Sequence, residues 1–224
     1  MTFSIVARCT RTDQLGMAVS SSSPAVAARC AHAKAGVGVV ASQNITDPRL
    51  GPKTLLAMAE GHSAPEAVKM IINASKNADF RQLLAVDARG NAAIYSGSKS
   101  LGTHADFASH NAAAAGNLLA NPAIPEAMVT AFHQGTGHLG DRLIDAMRAA
   151  LALGGEAGAL HSAGLLLVGE QEWPMADLRC DWTEDCPIEA VAAAWNIYKP
   201  QMDDYIVRAL DPAKAPQYGV PGDE

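Results

Sequence analysis

By position alone, Thr2 is the residue best placed to do chemistry in this 224-residue chain. Only Met1 precedes it, and threonine is small enough for an initiator methionine to be removed. A threonine at a mature terminus carries both a hydroxyl and an α-amine. The amine can then act as the base for its own side chain, which turns the hydroxyl into a nucleophile. If Met1 stays, that nitrogen is an amide and the base is lost. Thr2 could also do no more than open a buried strand.

The elements around Thr2 decide what can reach it. From Thr2 to Cys9 the residues alternate: Phe3, Ile5, Ala7 and Cys9 share one face, and Thr2, Ser4, Val6 and Arg8 share the other. A polar turn at residues 10–13 leads to a return strand at 14–21. If the turn centres near Thr12, antiparallel pairing brings Ser21 or Ser22 beside Thr2. Arg8 lies six residues along, roughly 20 Å away, too far for a direct partner. Ser20 to Ser23 is a four-serine run ending at Pro24, and also reads as a polar strand end. Residues 25–34 read equally as a short helix or an irregular connection.

Further on, residues 36–42 form a third, buried strand. Gln43 opens a loop through Gly51, and Gln43 and Arg49 are its substrate-binding candidates, since loops that follow strands often carry function. Two helices follow, at 52–60 and from an N-cap at Ser63. A hairpin is expected at 80–87 and 91–96, and one further strand at 107–115. A second helix pair is expected at 122–134 and 138–153, then strands at 162–168 and 175–182. A last helix runs from Pro187 to about Leu210, bent near Pro200. Strands and helices come in batches. That predicts an α+β fold, two antiparallel sheets stacked between helix layers, αββα, rather than a doubly wound parallel sheet. Residues 1–210 are expected to form one domain, with 211–224 as a loosely held tail.

His104 and His110 are six apart, and His133 and His138 five apart; neither spacing is that of a metal-binding pair on one helix face, so no metal is expected. Asp177, Arg179 and Asp181 share one strand face. Arg179 could grip a substrate carboxylate in two-point fashion, or the three could be an edge ion-pair ladder. No phosphate-loop pattern occurs, and Ser162 lacks the GxSxG elbow.

Bulk properties narrow the class. A net charge of −6 and 5% aromatic residues give little footing for nucleic acid. No run reaches the ~20 apolar residues of a membrane span, and no signal peptide is seen. Cys9, Cys30, Cys180 and Cys186 read as reduced thiols. A cytoplasmic protein is expected.

Several segments in order carry a resemblance: TFSIVAR at 2–8, LGMAV at 15–19, AGVGVVASQ at 35–43, DPRLGP at 47–52, RQL at 81–83, AGNLL at 115–119, HSAGLL at 161–166 and DLRCD at 177–181. Together they resemble the bacterial family named domain of unknown function 1028, within the N-terminal-nucleophile (Ntn) hydrolase superfamily. The resemblance implies the αββα fold and, by analogy, an amide hydrolase with Thr2 as nucleophile and its α-amine as base. Asn117, after Gly116, resembles an oxyanion donor of some members. Lys34 stands near the distance from Thr2 at which proteasome-like members keep a tuning lysine. The acidic partner that those members carry in the second strand has no counterpart, since Met17, Ala18 and Val19 stand there. The expected substrate is a small acyl or amide compound, Ser21 and Ser22 would orient the terminus, no cofactor is needed, and a homodimer is expected. The alternative is a catalytically silent Ntn-like domain that binds a ligand or assembles.

Overall fold

A computed structural model describes residues 2–220. Met1, whose removal the nucleophile reading requires, and 221–224, the end of the expected tail, lie outside the described residues.

The central element is strand β1 (Thr2–Arg8). It lies inside a six-stranded antiparallel sheet with β2 (Leu15–Ser21), β7 (Ala105–Ser109), β8 (Ala112–Asn117), β9 (Ser162–Val168) and β10 (Ala176–Cys180), in the order β10-β9-β2-β1-β8-β7. A second sheet of β3 (Ala31–Lys34), β4 (Gly38–Asn44), β5 (Arg81–Asp87) and β6 (Ala92–Ser96) stacks on its inner face. Helices α2 (Leu50–Ala59) and α3 (Ala64–Asn73) cover the smaller sheet; α4 (Ile124–Gln134), α5 (Leu139–Ala152) and α6 (Pro187–Tyr198) cover the larger. The expected αββα layering is what the chain adopts.

Three apolar layers separate these four. Phe3 and Ile5 pack outward against Ile124, Met128, Phe132 and Leu143. Val6, Met17, Val19 and Ala115 face Val39, Ala41 and Leu84 between the sheets. Val40 and Leu83 meet Leu55, Met58 and Val68 beneath α2 and α3. Alternate residues of β1 therefore enter two different cores, and both of its faces are buried, so the hydrophobic effect fixes its register.

Two elements differ from expectation. The single strand foreseen at 107–115 is a hairpin, β7 and β8, turning at Asn111 with φ 70. Asparagine tolerates this left-handed conformation, and an Ala-rich run gives no alternation by which to see it. Residues 25–34 divide into a short helix α1 (Val26–Cys30) and β3. The last helix breaks near Pro200, as expected, into α6 and α7 (Met202–Leu210). The described part of the tail folds back on α7, where the Arg208 guanidinium lies 3.9 Å from the Tyr218 ring centre. Among the described residues no helix is long and apolar enough to cross a membrane.

Asp87 joins the smaller sheet to its helices. Its carboxylate accepts from the backbone N–H groups of Ala64 (2.9 Å), Arg89 (2.9 Å) and Asn91 (3.1 Å) and from Asn91 Nδ2 (2.9 Å). Burial pushes this carboxyl up, but the donors outweigh it and hold it below the usual carboxylate range. A depressed native pKa contributes stability above the unfolded value and loses it as pH falls through the native one. Asp87→Asn should therefore cost about 2 kcal/mol at neutral pH. It should also flatten the acid limb of a pH-stability curve measured by urea unfolding. An unchanged acid limb would mean that Asp87 does not carry this dependence.

Candidate active site

Thr2 opens β1 in the middle of a row of polar side chains that crosses the larger sheet. The register pairs Phe3 with Ser20, so that Ser21 comes opposite Thr2, while Asn117 is the Thr2 partner on the other side. Ser162 pairs with Ser21 in turn. Thr2 Oγ1 lies 3.4 Å from Ser21 Oγ. Residues directly opposite in antiparallel strands point to the same face, so the row Ser162, Ser21, Thr2, Asn117 faces the space between the sheets. All four are buried, Thr2 at 4% exposure and the others at 0%.

The opposite sheet answers with two glutamines. Gln43 and Gln82 pair across β4 and β5. Ser4 Oγ donates to Gln43 Oε1 at 2.6 Å. Gln43 Nε2 donates to the Ala115 carbonyl at 3.1 Å, and Gln82 Nε2 to the Gly116 carbonyl at 3.0 Å. These main-chain carbonyls can only accept, so they fix which end of each amide is nitrogen. Gln82 Oε1 is thereby an acceptor, taking Gln43 Nε2 (3.1 Å) and Asn117 Nδ2 (3.0 Å). The orientation of Asn117 follows, and its Oδ1 is left buried with no hydrogen-bond partner among the described residues. A buried acceptor without a donor costs roughly 1–3 kcal/mol, which calls for an explanation.

Glu156 supplies a second such oxygen. It sits in the connector between α5 and β9, after Gly154 and Gly155 at φ 99 and φ 60. Leu119 bridges to Glu156, Ala157 N donates to Leu118 O (2.9 Å), and Ser22 N donates to Glu156 Oε2 (2.7 Å). The ends of the two strands flanking β1 thus hold Glu156 ahead of the point where β1 begins. The residue is 4% exposed, and its Oε1 has no hydrogen-bond partner among the described residues. Burial pushes its carboxyl up, against the opposing pull of its hydrogen bonds from Ser22.

Three strained backbone positions lie at the same end of the sandwich, and two others, Asp13 and Asn111, lie in turns at the far end of β1. Among the described residues, five that are not glycine have positive φ: Asp13, Ala25, Asn44, Asn111 and Leu118. Asn44 follows Gln43, Leu118 follows Asn117, and Ala25 closes the serine run. An alanine and a bulky leucine in this region are outliers, and such strain collects at functional sites.

The remaining sequence candidates lie elsewhere. Lys34 is exposed and pairs with Gly38, at the far end of β4 from Gln43 and roughly 17 Å along the strand. The structure does not bring it to Thr2. Arg179 is on the edge strand, held by Asp177 at 2.8 and 2.7 Å. Arg49 is held by Asp47 at 2.8 and 2.7 Å, and its guanidinium brings the Asp47 carboxyl down to about 2. It lines a cavity of about 280 Å³ with Lys53, Lys76 and Arg81, beyond the site. Ser22 contributes its backbone N–H to Glu156. Among the described residues no group of three or more His, Cys, Asp or Glu side chains could hold a metal ion. Glu156 and Gln82 were missed. A lone carboxylate between glycines, in GGEAG, was the one signal for Glu156.

Fold and site together define an αββα sandwich whose central strand opens at Thr2, among buried acceptors and hydroxyls. Residues 2–191 match the family described as "Family of unknown function (DUF1028)", and the chain belongs to that family. Protein SPO2555 from Silicibacter pomeroyi, whose structure carries the same family name, is 29% identical over 88% of this chain and 89% of that one, with a TM-score of 0.82. Anbu (ancestral beta-subunit) from Yersinia bercovieri aligns at 12% identity over 91% of this chain and 96% of that one, TM-score 0.41. An Anbu Gly-1 mutant from Hyphomicrobium sp. strain MC1 aligns at 11% over 92% and 99%, TM-score 0.44. These two are distant likenesses only. No curated protein matches.

Proposed function

We propose that the chain, once freed of Met1, is an N-terminal-nucleophile hydrolase that cleaves the amide bond of a small acyl compound. The observation that carries this reading is Asn117 Oδ1, an orphaned buried acceptor in register with Thr2. A new α-amine on Thr2 carries N–H groups that can donate to Asn117 Oδ1 and Glu156 Oε1, and its lone pair is the base. The α-amine takes the proton from Thr2 Oγ1 as the oxygen attacks the acyl carbon, and the carbonyl electron pair moves to its oxygen. Collapse breaks the C–N bond, and the leaving amine takes the proton from the α-ammonium. Water then releases the acyl group from the Thr2 ester. In this reading Asn117 is an acceptor for the terminus, and a main-chain N–H holds the oxyanion. Lys34 and Arg179 take no part.

The intact mass of protein purified from its native host tests the reading. The expected mass lacks one methionine, and treatment with a β-lactone adds one acyl group. Quantitative retention of Met1 in that host would sink it. The burial of Thr2 and Asn117 supports a second reading, a silent domain that binds a ligand or assembles; it expects no adduct even on a free Thr2. Ile197 and Leu210, 70% and 59% exposed, offer apolar surface for a homodimer, which light scattering would reveal.

A further inference from the structure

We infer that the cavity between α2, the end of α3 and the start of β5 binds a small oxyanion with two or more negative charges, carried by a phosphate group or a pair of carboxylates. This site is separate from the Thr2 site and does not rest on Thr2 being a nucleophile. The cavity measures about 280 Å³, and four cations line it: Arg49, Lys53, Lys76 and Arg81. Asp47 is the one carboxylate among its lining residues, so the cavity has an excess of three positive charges. The chain as a whole carries −6. Charge of the minority sign gathered in one concavity focuses its field on whatever enters.

Three separate segments bring these cations together. Arg49 is the N-cap of α2, and Lys53 lies one turn further along it. Lys76 follows the C-terminal end of α3. Arg81 opens β5, where it pairs with Asn44. Its neighbour Gln82 turns inward, donating to the Gly116 carbonyl of the larger sheet. Successive strand side chains alternate faces, so Arg81 takes the helix side. The cavity therefore lies across the smaller sheet from the Thr2 row.

The cations have donors to spare. Asp47 takes Nε and Nη2 of Arg49 and accepts from its main-chain N–H at 3.1 Å, which leaves the Nη1 donors of Arg49. Lys53 and Lys76 form no ion pair among the described residues. Arg81 Nη1 donates to the Ile45 carbonyl, while its Nε is buried with no hydrogen-bond partner among the described residues. Like charges held together repel, and a buried donor without an acceptor is a cost. An oxyanion offsets both. A single carboxylate would leave two of the three excess charges unmatched, and a dianion leaves one. Arginine forks and lysine point charges are the side chains that suit such oxygens. Ligand pockets run from roughly 300 to 1,000 Å³, so the occupant is small.

Isothermal titration calorimetry of the full-length chain, at fixed pH and ionic strength, tests the site with inorganic phosphate, malonate and acetate. Phosphate or malonate should bind once per chain, at least ~10-fold tighter than acetate, and the tighter of the two tells a phosphate group from a dicarboxylate. Lys53→Gln combined with Lys76→Gln should weaken that binding at least ~10-fold. Both side chains are exposed, so the fold is kept. Lys69→Gln removes an exposed charge of α3 outside the cavity and should leave the affinity within ~2-fold. The tighter anion at ten times its dissociation constant should raise the wild-type melting temperature by roughly 4 °C, and that of the double variant by less than about 1 °C. Absence of binding at millimolar anion, equal affinity for acetate, wild-type affinity in the double variant, or an equal loss in Lys69→Gln overturns the site. None of these results bears on Thr2, whose labelling is measured separately.

Discussion

Thr2→Ala is expected to lower the rate of acylation by a β-lactone probe at least ~10³-fold, while Thr2→Ser keeps it within ~10-fold of wild type. The first substitution removes the attacking oxygen; the second keeps oxygen and amine and loses only a methyl group. Serine and alanine are, like threonine, small enough to let Met1 leave, so the comparison is made at the same terminus. Thr2→Val is the stricter control. It keeps the branched shape in a site that is 4% exposed and costs one hydroxyl contact to Ser21. Its melting temperature should stay near that of wild type while labelling disappears. Mass spectrometry of the adduct reads all three. Labelling that survives in Thr2→Val would place the reactive group elsewhere.

The partners of Thr2 were legible in the sequence to the extent that they are local. The β1–β2 hairpin closes over a short turn, with Cys9 N bonded to Gln14 O (2.8 Å) and Asp13 at φ 57. Counting outward from that turn reaches Ser21. The four layers were legible too, because strands and helices come in batches and each batch must bury one face. Asn117 was reached only by resemblance. The run that ends in it has Ala112 to Ala115 buried on both faces, and so shows no alternation that could fix its register. The Gln43–Gln82 pair was hidden for a different reason. Each residue ends a pattern of its own, and only the pairing of β4 with β5 makes them one device. Lys34 illustrates the opposite error. A position measured along the chain from Thr2 says nothing once α1 and β3 carry the chain over to the other sheet.

Glu156→Gln is expected to slow acylation ~10²-fold without loss of fold stability. The two effects separate a functional carboxylate from a structural one. Burial raises the Glu156 carboxyl. A carboxyl raised above its unfolded value contributes its stability below that value, and loses it as pH rises through the native one. Once ionised, the group is thus a cost to the fold, and an amide of the same shape removes it. The glutamine oxygen can still accept from Ser22 N, where Glu156 Oε2 does so at 2.7 Å. The melting temperature of the variant should match or exceed that of wild type, by up to roughly 3 °C for about 1 kcal/mol, and the gap should widen as pH rises above the ordinary carboxylate range. What the amide cannot supply is a negative charge ahead of Thr2. Without it the α-ammonium formed during attack is held only by Asn117 Oδ1, and the proton transfer loses its counter-ion. A carboxylate kept at the expense of stability is the mark of a working site. A fall of several degrees in melting temperature with labelling unchanged would instead make Glu156 a clamp on Ser22, and would leave the base of Thr2 to act without an acidic partner.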